Sequence, residues 1–115
     1  IIGGSYDSTT HSLAGVATME MIRQVNATKA FLGADGLSLN AGMTTPNHQI
    51  AIIDRTMIQH TRGKVIVLAN HTKFGLVAEM SITPLKQIDV LITDRKIPVD
   101  FKKELDHLGV EVIIA

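Results

Sequence analysis

The stretch Val65-Ile66-Val67-Leu68-Ala69-Asn70-His71-Thr72-Lys73 decides the fold of this chain, because a continuous apolar run stops abruptly at a polar cluster. Such runs are typical of strands that are covered on both faces of a parallel sheet. The same transition occurs in Ala30-Phe31-Leu32-Gly33-Ala34-Asp35-Gly36. Ligands of α/β proteins bind where parallel strands end. Since one junction carries a carboxylate and the other an ammonium group, the pattern predicts a pocket for a small anionic, hydroxylated ligand.

Strand-like and helix-like segments alternate along the rest of the chain. The apolar patterns predict strands at 1–2, 27–32, 64–69, 77–82, 90–93 and 110–114, and a loop at 33–45. Three helices are predicted, with Ser12 as the first N-cap, Thr45 as the second before Pro46, and Pro98 opening the third. Inward stripes are expected at Leu13, Val16, Ala17, Met21 and Val25, at Ile50, Ile53 and Met57, and at Phe101, Leu105 and Leu108. This alternation predicts an α/β fold with a mostly parallel sheet between helical layers.

The composition is that of one globular domain. The 115 residues contain 11 basic and 11 acidic side chains, so no positive excess is available to neutralise the phosphates of DNA. The absence of cysteine excludes disulfides and thiolate chemistry, and favours a cytoplasmic location. No apolar run approaches the roughly 20 residues that span a bilayer, so no membrane partner is expected. The first residues, Ile1-Ile2-Gly3-Gly4, read as the end of a strand, so we expect the chain to be part of a longer protein.

Two glycine- or threonine-containing turns are candidates for binding an anion. The backbone N–H groups of Gly3 and Gly4 can approach a phosphate or a sugar oxygen, although a simple tight turn explains them equally well. Thr44 and Thr45 combine two hydroxyl groups with the free N–H groups of a helix start. Ordinary capping of the helix is the alternative role for these threonines.

The two strand-end junctions supply the charged candidates. Asp35 can accept hydrogen bonds from sugar hydroxyls, but Asp35-Gly36 is also a common turn dipeptide. Lys73 can neutralise a phosphate as a point charge, whereas most lysines are merely solvated. His71 is a weaker candidate for the same pocket. The five histidines show no metal-ligand spacing, so we predict neither a metal site nor a cofactor.

Taken together, these motifs resemble the C-terminal sensor domain of DeoR-type bacterial transcriptional regulators. The resemblance rests on Gly3-Gly4, 29–36, Gly42-Met43-Thr44-Thr45, 68–75 and Leu91-Ile92-Thr93-Asp94, in that order. It implies that residues 1–115 are the later part of one effector-binding domain for phosphorylated sugars or related metabolites. It further implies a fold similar to ribose-5-phosphate isomerase, glucosamine-6-phosphate deaminase and CoA transferases. Homo-oligomers are expected, with DNA contacted only by an N-terminal winged helix-turn-helix domain that is absent here.

The resemblance assigns effector-binding roles to specific positions in this chain. These positions are Gly3, Gly4, Asp35, Gly36, Thr44, Thr45, Asn70 and Lys73. Two substitutions depart from the family pattern, because Asn70 replaces an Asp and Ile50 replaces a Glu. Both remove negative charge, which favours a different or more acidic effector. The family's upstream Gly-Thr-Thr phosphate loop would lie before residue 1.

The alternative hypothesis is a sugar-phosphate isomerase or deaminase on the same fold. Such enzymes need a general base, and Asp35 is the one well-placed carboxylate. The isomerases carry an acidic residue where Gly36 stands, and the deaminases have a histidine after their Asp-Gly, where this chain has Leu37. We therefore predict a regulator without catalytic residues.

Overall fold

The computed structural model describes all residues 1–115, which form nine strands and three helices. The strands are β1 (Ser5–Asp7), β2 (Ser12–Ala14), β3 (Ala27–Gly33), β4 (Gly36–Ser38), β5 (Gly42–Thr45), β6 (Thr61–Leu68), β7 (Met80–Thr83), β8 (Val90–Thr93) and β9 (Glu111–Ile114). The helices are α1 (Val16–Arg23), α2 (His48–Gln59) and α3 (Val99–His107). None of these helices is long and apolar enough to cross a membrane.

The main sheet contains four parallel strands in the order β3-β6-β8-β9. Leu32, Val67, Leu91 and Val112 are register partners across it, so their side chains share one face. The predicted α/β class with a parallel sheet flanked by helices is confirmed. The prediction of β8 matches the observed strand residue for residue, because Val90–Thr93 is apolar and bounded by polar residues on both sides.

The hydrophobic core lies on the Leu32 face of this sheet. Ala51 of α2 together with Phe101 and Leu105 of α3 packs there, in one cluster of 16 buried residues. The opposite face carries Phe31, which is 58% exposed. Helices α2 and α3 thus pack against the same face of the main sheet.

A second, antiparallel sheet in the order β4-β5-β7 replaces the loop predicted at 33–45, so that prediction was wrong. Gly42 has a positive φ of 71°, which lets the chain enter β5 after the turn. Leu37 and Met43 are fully buried in the core. The sheet forms because β5 also pairs with the distant strand β7. A local pattern of glycines and polar residues does not reveal that partner.

The predicted N-terminal elements were also wrong. No strand forms at Ile1–Ile2, because no other segment pairs with these residues. Ser12 does not cap α1, since 12–14 pairs with 5–7 in a hairpin and the helix starts only after Gly15. The buried residues of α1 are Thr18 and Ile22 rather than the predicted stripe.

Helix α2 begins two residues later than predicted. Asn47, not Thr45, is its N-cap, and the Asn47 side chain accepts hydrogen bonds from the N–H groups of Gln49 and Ile50. Thr45 is the last residue of β5 instead. The buried positions of α2 are Ala51, Asp54 and Thr56, whereas the predicted stripe of Ile50, Ile53 and Met57 is half-buried. The helix ends at Gln59, and β6 starts at Thr61.

The C-terminal part of the chain follows the prediction more closely. Pro98 precedes α3, Phe101 and Leu105 face the core, and Gly109 follows the helix with a positive φ of 80°. Leu108 lies at the C-cap and is 36% exposed rather than inward. The strand predicted at 77–82 is the shorter β7, Met80–Thr83.

Candidate effector site

An open cavity of about 510 Å³ lies where the parallel strands β3, β6 and β8 end. It is lined by Gly33, Ala34, Asp35, Leu68, Ala69, Asn70, Lys73, Ile92, Thr93, Asp94 and Ala115. Three of the predicted site residues, Asp35, Asn70 and Lys73, are therefore brought together. The site lies at the carboxyl edge of the sheet, which is the edge that α/β proteins use for ligands.

Lys73 supplies a positive charge to this cavity. It is the last residue of a short 3₁₀ helix, His71–Lys73, that follows β6. Its side chain is half-buried and forms no salt bridge within the chain. A partly desolvated ammonium group without a carboxylate partner favours an anion in the cavity.

Asn70 starts the same 3₁₀ helix and contributes a hydrogen-bond donor. Its Oδ1 accepts hydrogen bonds from the N–H of Thr72 at 3.0 Å and from the Thr72 hydroxyl at 2.5 Å. Because Oδ1 has these partners, Nδ2 remains as the free end of the amide. The Asn at this position thus presents a donor, where the Asp of the family pattern would present only acceptors.

Asp35 connects the cavity to the second sheet. Its Oδ2 accepts a hydrogen bond from Thr45 Oγ1 at 2.7 Å, and the same hydroxyl oxygen accepts the N–H of Asn47 at 3.3 Å. Asp35 itself is exposed. A carboxylate held at one oxygen retains acceptor capacity for the hydroxyl groups of a ligand.

A second carboxylate, Asp54 of α2, lies near Asp35 but does not line the cavity. Its residue is 9% exposed and its side chain has no hydrogen-bond partner in the chain. Burial and, to a smaller extent, the negative charge of Asp35 together raise the pKa of Asp54 to about 6. Sequence reasoning missed this residue, although an acid directly after the apolar run Ile50-Ala51-Ile52-Ile53 was a visible signal.

Asp94 fixes the loop that carries Lys73. Its Oδ2 accepts hydrogen bonds from the backbone N–H of His71 at 2.7 Å and pairs with His71 Nδ1 at 3.0 Å. Its Oδ1 accepts the N–H of Lys96 at 2.8 Å. The bond from the His71 backbone, the His71 ring and the Lys96 N–H together lower the pKa of Asp94 to about 2. The carboxylate is therefore ionised near neutral pH, and it orients the 71–73 turn.

Two of the residues missed by the sequence-based assignment, Thr93 and Asp94, directly follow the apolar core of β8. The signal was present, because this strand ends at the same edge as β3 and β6. Applying the strand-end rule to all three strands would have found both residues.

Gly36, Thr44 and Thr45 lie in the second sheet and do not line the cavity. Both threonines are 1% exposed, and Thr44 Oγ1 accepts the N–H of Ala78 at 3.0 Å. A Cβ at Gly36 would lie 2.6 Å from the carbonyl oxygen of Leu76 and 2.8 Å from Thr44 Oγ1. These contacts give the three residues packing and hydrogen-bonding roles, and direct contact with an effector stays a prediction.

Gly3 and Gly4 lie against α1 and do not line the cavity. The carbonyl oxygen of Gly3 accepts a hydrogen bond from Thr18 Oγ1 at 2.8 Å. A Cβ at Gly4 would lie 2.1 Å from the same hydroxyl oxygen and 2.8 Å from the carbonyl oxygen of Ala14. The role of both glycines in effector binding also stays a prediction.

Comparison with known proteins agrees with this geometry. The sequence profile described as "DeoR C terminal sensor domain" matches residues 1–95. The chain belongs to the DeoR family. In this DeoR-family sensor domain, the matched residues include all of β3–β8 and therefore the strand ends that form the cavity.

Several curated proteins are similar to this DeoR-family chain along its whole length. It is 31% identical to the HTH-type transcriptional regulator GolR of Listeria innocua, over 100% of this chain and 45% of that protein. It is 32% identical to the HTH-type transcriptional repressor GlcR of Bacillus subtilis, over 99% of this chain and 43% of that protein. It is 29% identical to the HTH-type transcriptional regulator GlpR of Haloferax volcanii, over 98% of this chain and 44% of that protein. The chain thus spans less than half the length of these curated relatives.

Proposed function

We propose that this DeoR-family domain senses a phosphorylated sugar or a related phosphorylated metabolite. Effector binding would thereby control the DNA binding of the transcriptional regulator to which the domain belongs. The observation that carries the proposal is Lys73, a half-buried ammonium group without a carboxylate partner at the carboxyl edge of the sheet. A phosphate group supplies the missing negative charge. Asn70 Nδ2 donates to its oxygens, and the exposed Asp35 carboxylate accepts hydrogen bonds from sugar hydroxyls.

The names of the relatives, which are HTH-type transcriptional regulators and a repressor, support the regulatory part of this proposal. In the proposed mechanism, a helix-turn-helix domain outside residues 1–115 contacts DNA, and the sensor domains assemble into a homo-oligomer. An effector that binds one arrangement of the oligomer more tightly shifts the population toward it. Operator affinity changes by the same coupling free energy.

The proposal includes no catalytic step. An isomerase or deaminase needs a general base in the cavity. The oxygens of Asp94 already accept hydrogen bonds from His71 and Lys96, and Asp54 does not line the cavity. Asp35 is the remaining carboxylate in the cavity. A steady turnover of ribose 5-phosphate or glucosamine 6-phosphate that disappears in Asp35→Asn would therefore favour the alternative hypothesis of an isomerase or deaminase.

Thermal unfolding of the intact protein tests the binding proposal. Ribose 5-phosphate or another sugar phosphate should raise the melting temperature, because a ligand that binds only the folded state stabilises it. Lys73→Ala should reduce affinity by roughly tenfold to a hundredfold, as expected for a charge-assisted contact of about 1.5–3 kcal/mol. Asp35→Ala should also weaken binding, with less effect on the preference for the phosphorylated form.

Lys86 provides a matched control, because it also lies in a short 3₁₀ helix but is exposed and outside the cavity. Lys86→Ala should therefore bind like the wild type. If Lys73→Ala keeps the wild-type preference for phosphorylated over unphosphorylated sugar, Lys73 is a solvated surface lysine and the proposal is wrong.

A further inference from the structure

Thr93, the last residue of β8, has an unusual hydroxyl group. The residue is 4% exposed and lines the cavity. Its Oγ1 is fully inaccessible to solvent and has no hydrogen-bond partner in the chain. Buried hydroxyl groups are nearly always hydrogen-bonded, so an unpaired one needs an explanation. A ligand in the adjoining cavity is a source for the missing partner.

Several polar groups at the ends of β6 and β8 are free hydrogen-bond donors, whereas Asp35, at the end of β3, supplies a free acceptor to the same cavity. The backbone N–H groups of Asn70 and Asp94, at the ends of β6 and β8, have no partner in the chain. Asn70 Nδ2 and Lys73 Nζ add two more donors at the same edge of the sheet. The Asp94 carboxylate lies in this region too, but its oxygens accept hydrogen bonds from His71 and Lys96. A set of free donors suits an anionic group with several oxygen atoms.

We propose that Thr93 contacts the effector directly and that its hydroxyl group donates a hydrogen bond to an oxygen of the effector's anionic group. This inference rests on the proposed function and adds the position of the phosphate. The phosphate lies over the ends of β6 and β8, beside Thr93 and Lys73, rather than at the 42–45 segment.

The substitution Thr93→Val tests this proposal, because it keeps the shape of the side chain and removes the hydroxyl. Without ligand, the melting temperature of the intact protein should stay the same or rise, since an unpaired buried group is lost. Calorimetric titration with ribose 5-phosphate, glucose 6-phosphate and glucosamine 6-phosphate should show affinity lowered about tenfold or more for the tightest of the three. Thr93→Ser should retain most of the affinity.

Thr83 is the matched control, because it is the last residue of β7, is also 4% exposed and lies outside the cavity. Its hydroxyl donates to Gln87 Oε1 at 2.9 Å. Thr83→Val should therefore lower the melting temperature and leave the affinity unchanged, which is the opposite of the pattern expected for Thr93→Val.

Two outcomes would overturn the proposal in different ways. If the wild type binds one of these sugar phosphates and Thr93→Val binds it within about twofold of the wild-type affinity, Thr93 makes no contact and the proposed function still stands. If the wild type binds none of the three and no inorganic phosphate, the proposed function fails and the role of Thr93 fails with it.

Discussion

Two polar regions of this domain contain similar residues but differ in how their polar atoms are satisfied. In the antiparallel sheet, the hydroxyl groups of Thr44 and Thr45 are buried and have hydrogen-bond partners within the chain. At the ends of β6 and β8, Lys73 Nζ and Thr93 Oγ1 have none. Thr44 and Thr45, which look most like an anion site in the sequence, therefore stabilise the fold. The unpaired polar groups of Lys73 and Thr93 are the ones that remain available to a ligand.

Asp35 joins the two regions. One of its oxygens accepts the Thr45 hydroxyl, and the residue also lines the cavity. A ligand that binds Asp35 therefore contacts a residue that is positioned by the second sheet. This connection explains how a buried threonine contributes to the site without contacting the effector.

The largest expected effect contrasts two glycines, one in each region. Gly36→Ala places a Cβ 2.6 Å from the Leu76 carbonyl oxygen, so the antiparallel sheet must shift. We expect the free energy of unfolding to fall by about 3 kcal/mol, as for severe overpacking. A Cβ at Gly33, which lines the cavity, meets nothing within 4 Å. Gly33→Ala should leave the stability nearly unchanged in urea unfolding of the intact protein.

Equal destabilisation by the two substitutions would break the comparison, because it would mean that the strand ends at the cavity are packed as tightly as the antiparallel sheet. A neutral Gly36→Ala would likewise show that the 76–78 segment does not press against Gly36.

A second expected effect concerns Asp54 of α2, which belongs to neither of the two polar regions. The pKa of Asp54 is raised from 3.8 to about 6 in the folded protein, so protonation of Asp54 contributes to the stability of the folded state. This contribution is fully present below about pH 4 and is lost as the pH rises through about 6. At neutral pH, the buried charge therefore costs on the order of 2–3 kcal/mol.

Asp54→Asn removes that charge, so its stabilising effect should be larger at pH 7.5 than at pH 4 by on the order of 2 kcal/mol. Urea unfolding at the two pH values measures the difference. Asp89→Asn is a control for loss of an acid, since Asp89 is exposed and accepts the N–H of Val65. An Asp54→Asn effect that is the same at both pH values would show that the carboxylate is well solvated.

The smallest expected effect on stability comes from Asp94 at the ligand edge. Hydrogen bonds from His71 and Lys96 lower its pKa to about 2, below the ordinary value of 3.8. Its contribution is therefore present above about pH 4 and is lost as the pH falls toward 2. Asp94→Asn should lower the melting temperature slightly at pH 7, and the difference from the wild type should shrink below about pH 4 and vanish only below about pH 2.

Effector binding sharpens this test, because Asp94 orients the turn that carries Lys73. Asp94→Asn should reduce sugar-phosphate affinity more than its small effect on stability suggests. Wild-type affinity in this variant would show that the 71–73 turn holds its conformation without the His71–Asp94 interaction.

The elements of the main sheet could be predicted from the sequence because their signal is local. Val90–Thr93 and the core of β6 are continuous apolar runs, and α3 has Pro98 before it and Gly109 after it. The cavity followed from the same signal, since parallel strands end at one edge. Asp35, Asn70 and Lys73 were placed at this edge in the same way, and they line the cavity; their contact with an effector stays a prediction.

The remaining elements depend on contacts between distant residues. Gly36–Ser38 is a strand because it pairs with β5, which itself pairs with β7 some forty residues later in the chain. Ser12–Ala14 reads as the start of a helix until its pairing with Ser5–Asp7 is known. Likewise, the sequence predicts Thr44 as an anion ligand, because it does not show that the Thr44 hydroxyl oxygen already accepts the N–H of Ala78.

The most direct test of the central claim is a heteronuclear NMR titration of the intact protein with the sugar phosphate that binds it most tightly. We expect the backbone amide signals of Asn70, Lys73 and Asp94 to shift together with saturable binding, while those of Thr44 and Ala78 stay in place. Shifts confined to the 42–45 segment and Ala78, with Asn70, Lys73 and Asp94 unchanged, would contradict it.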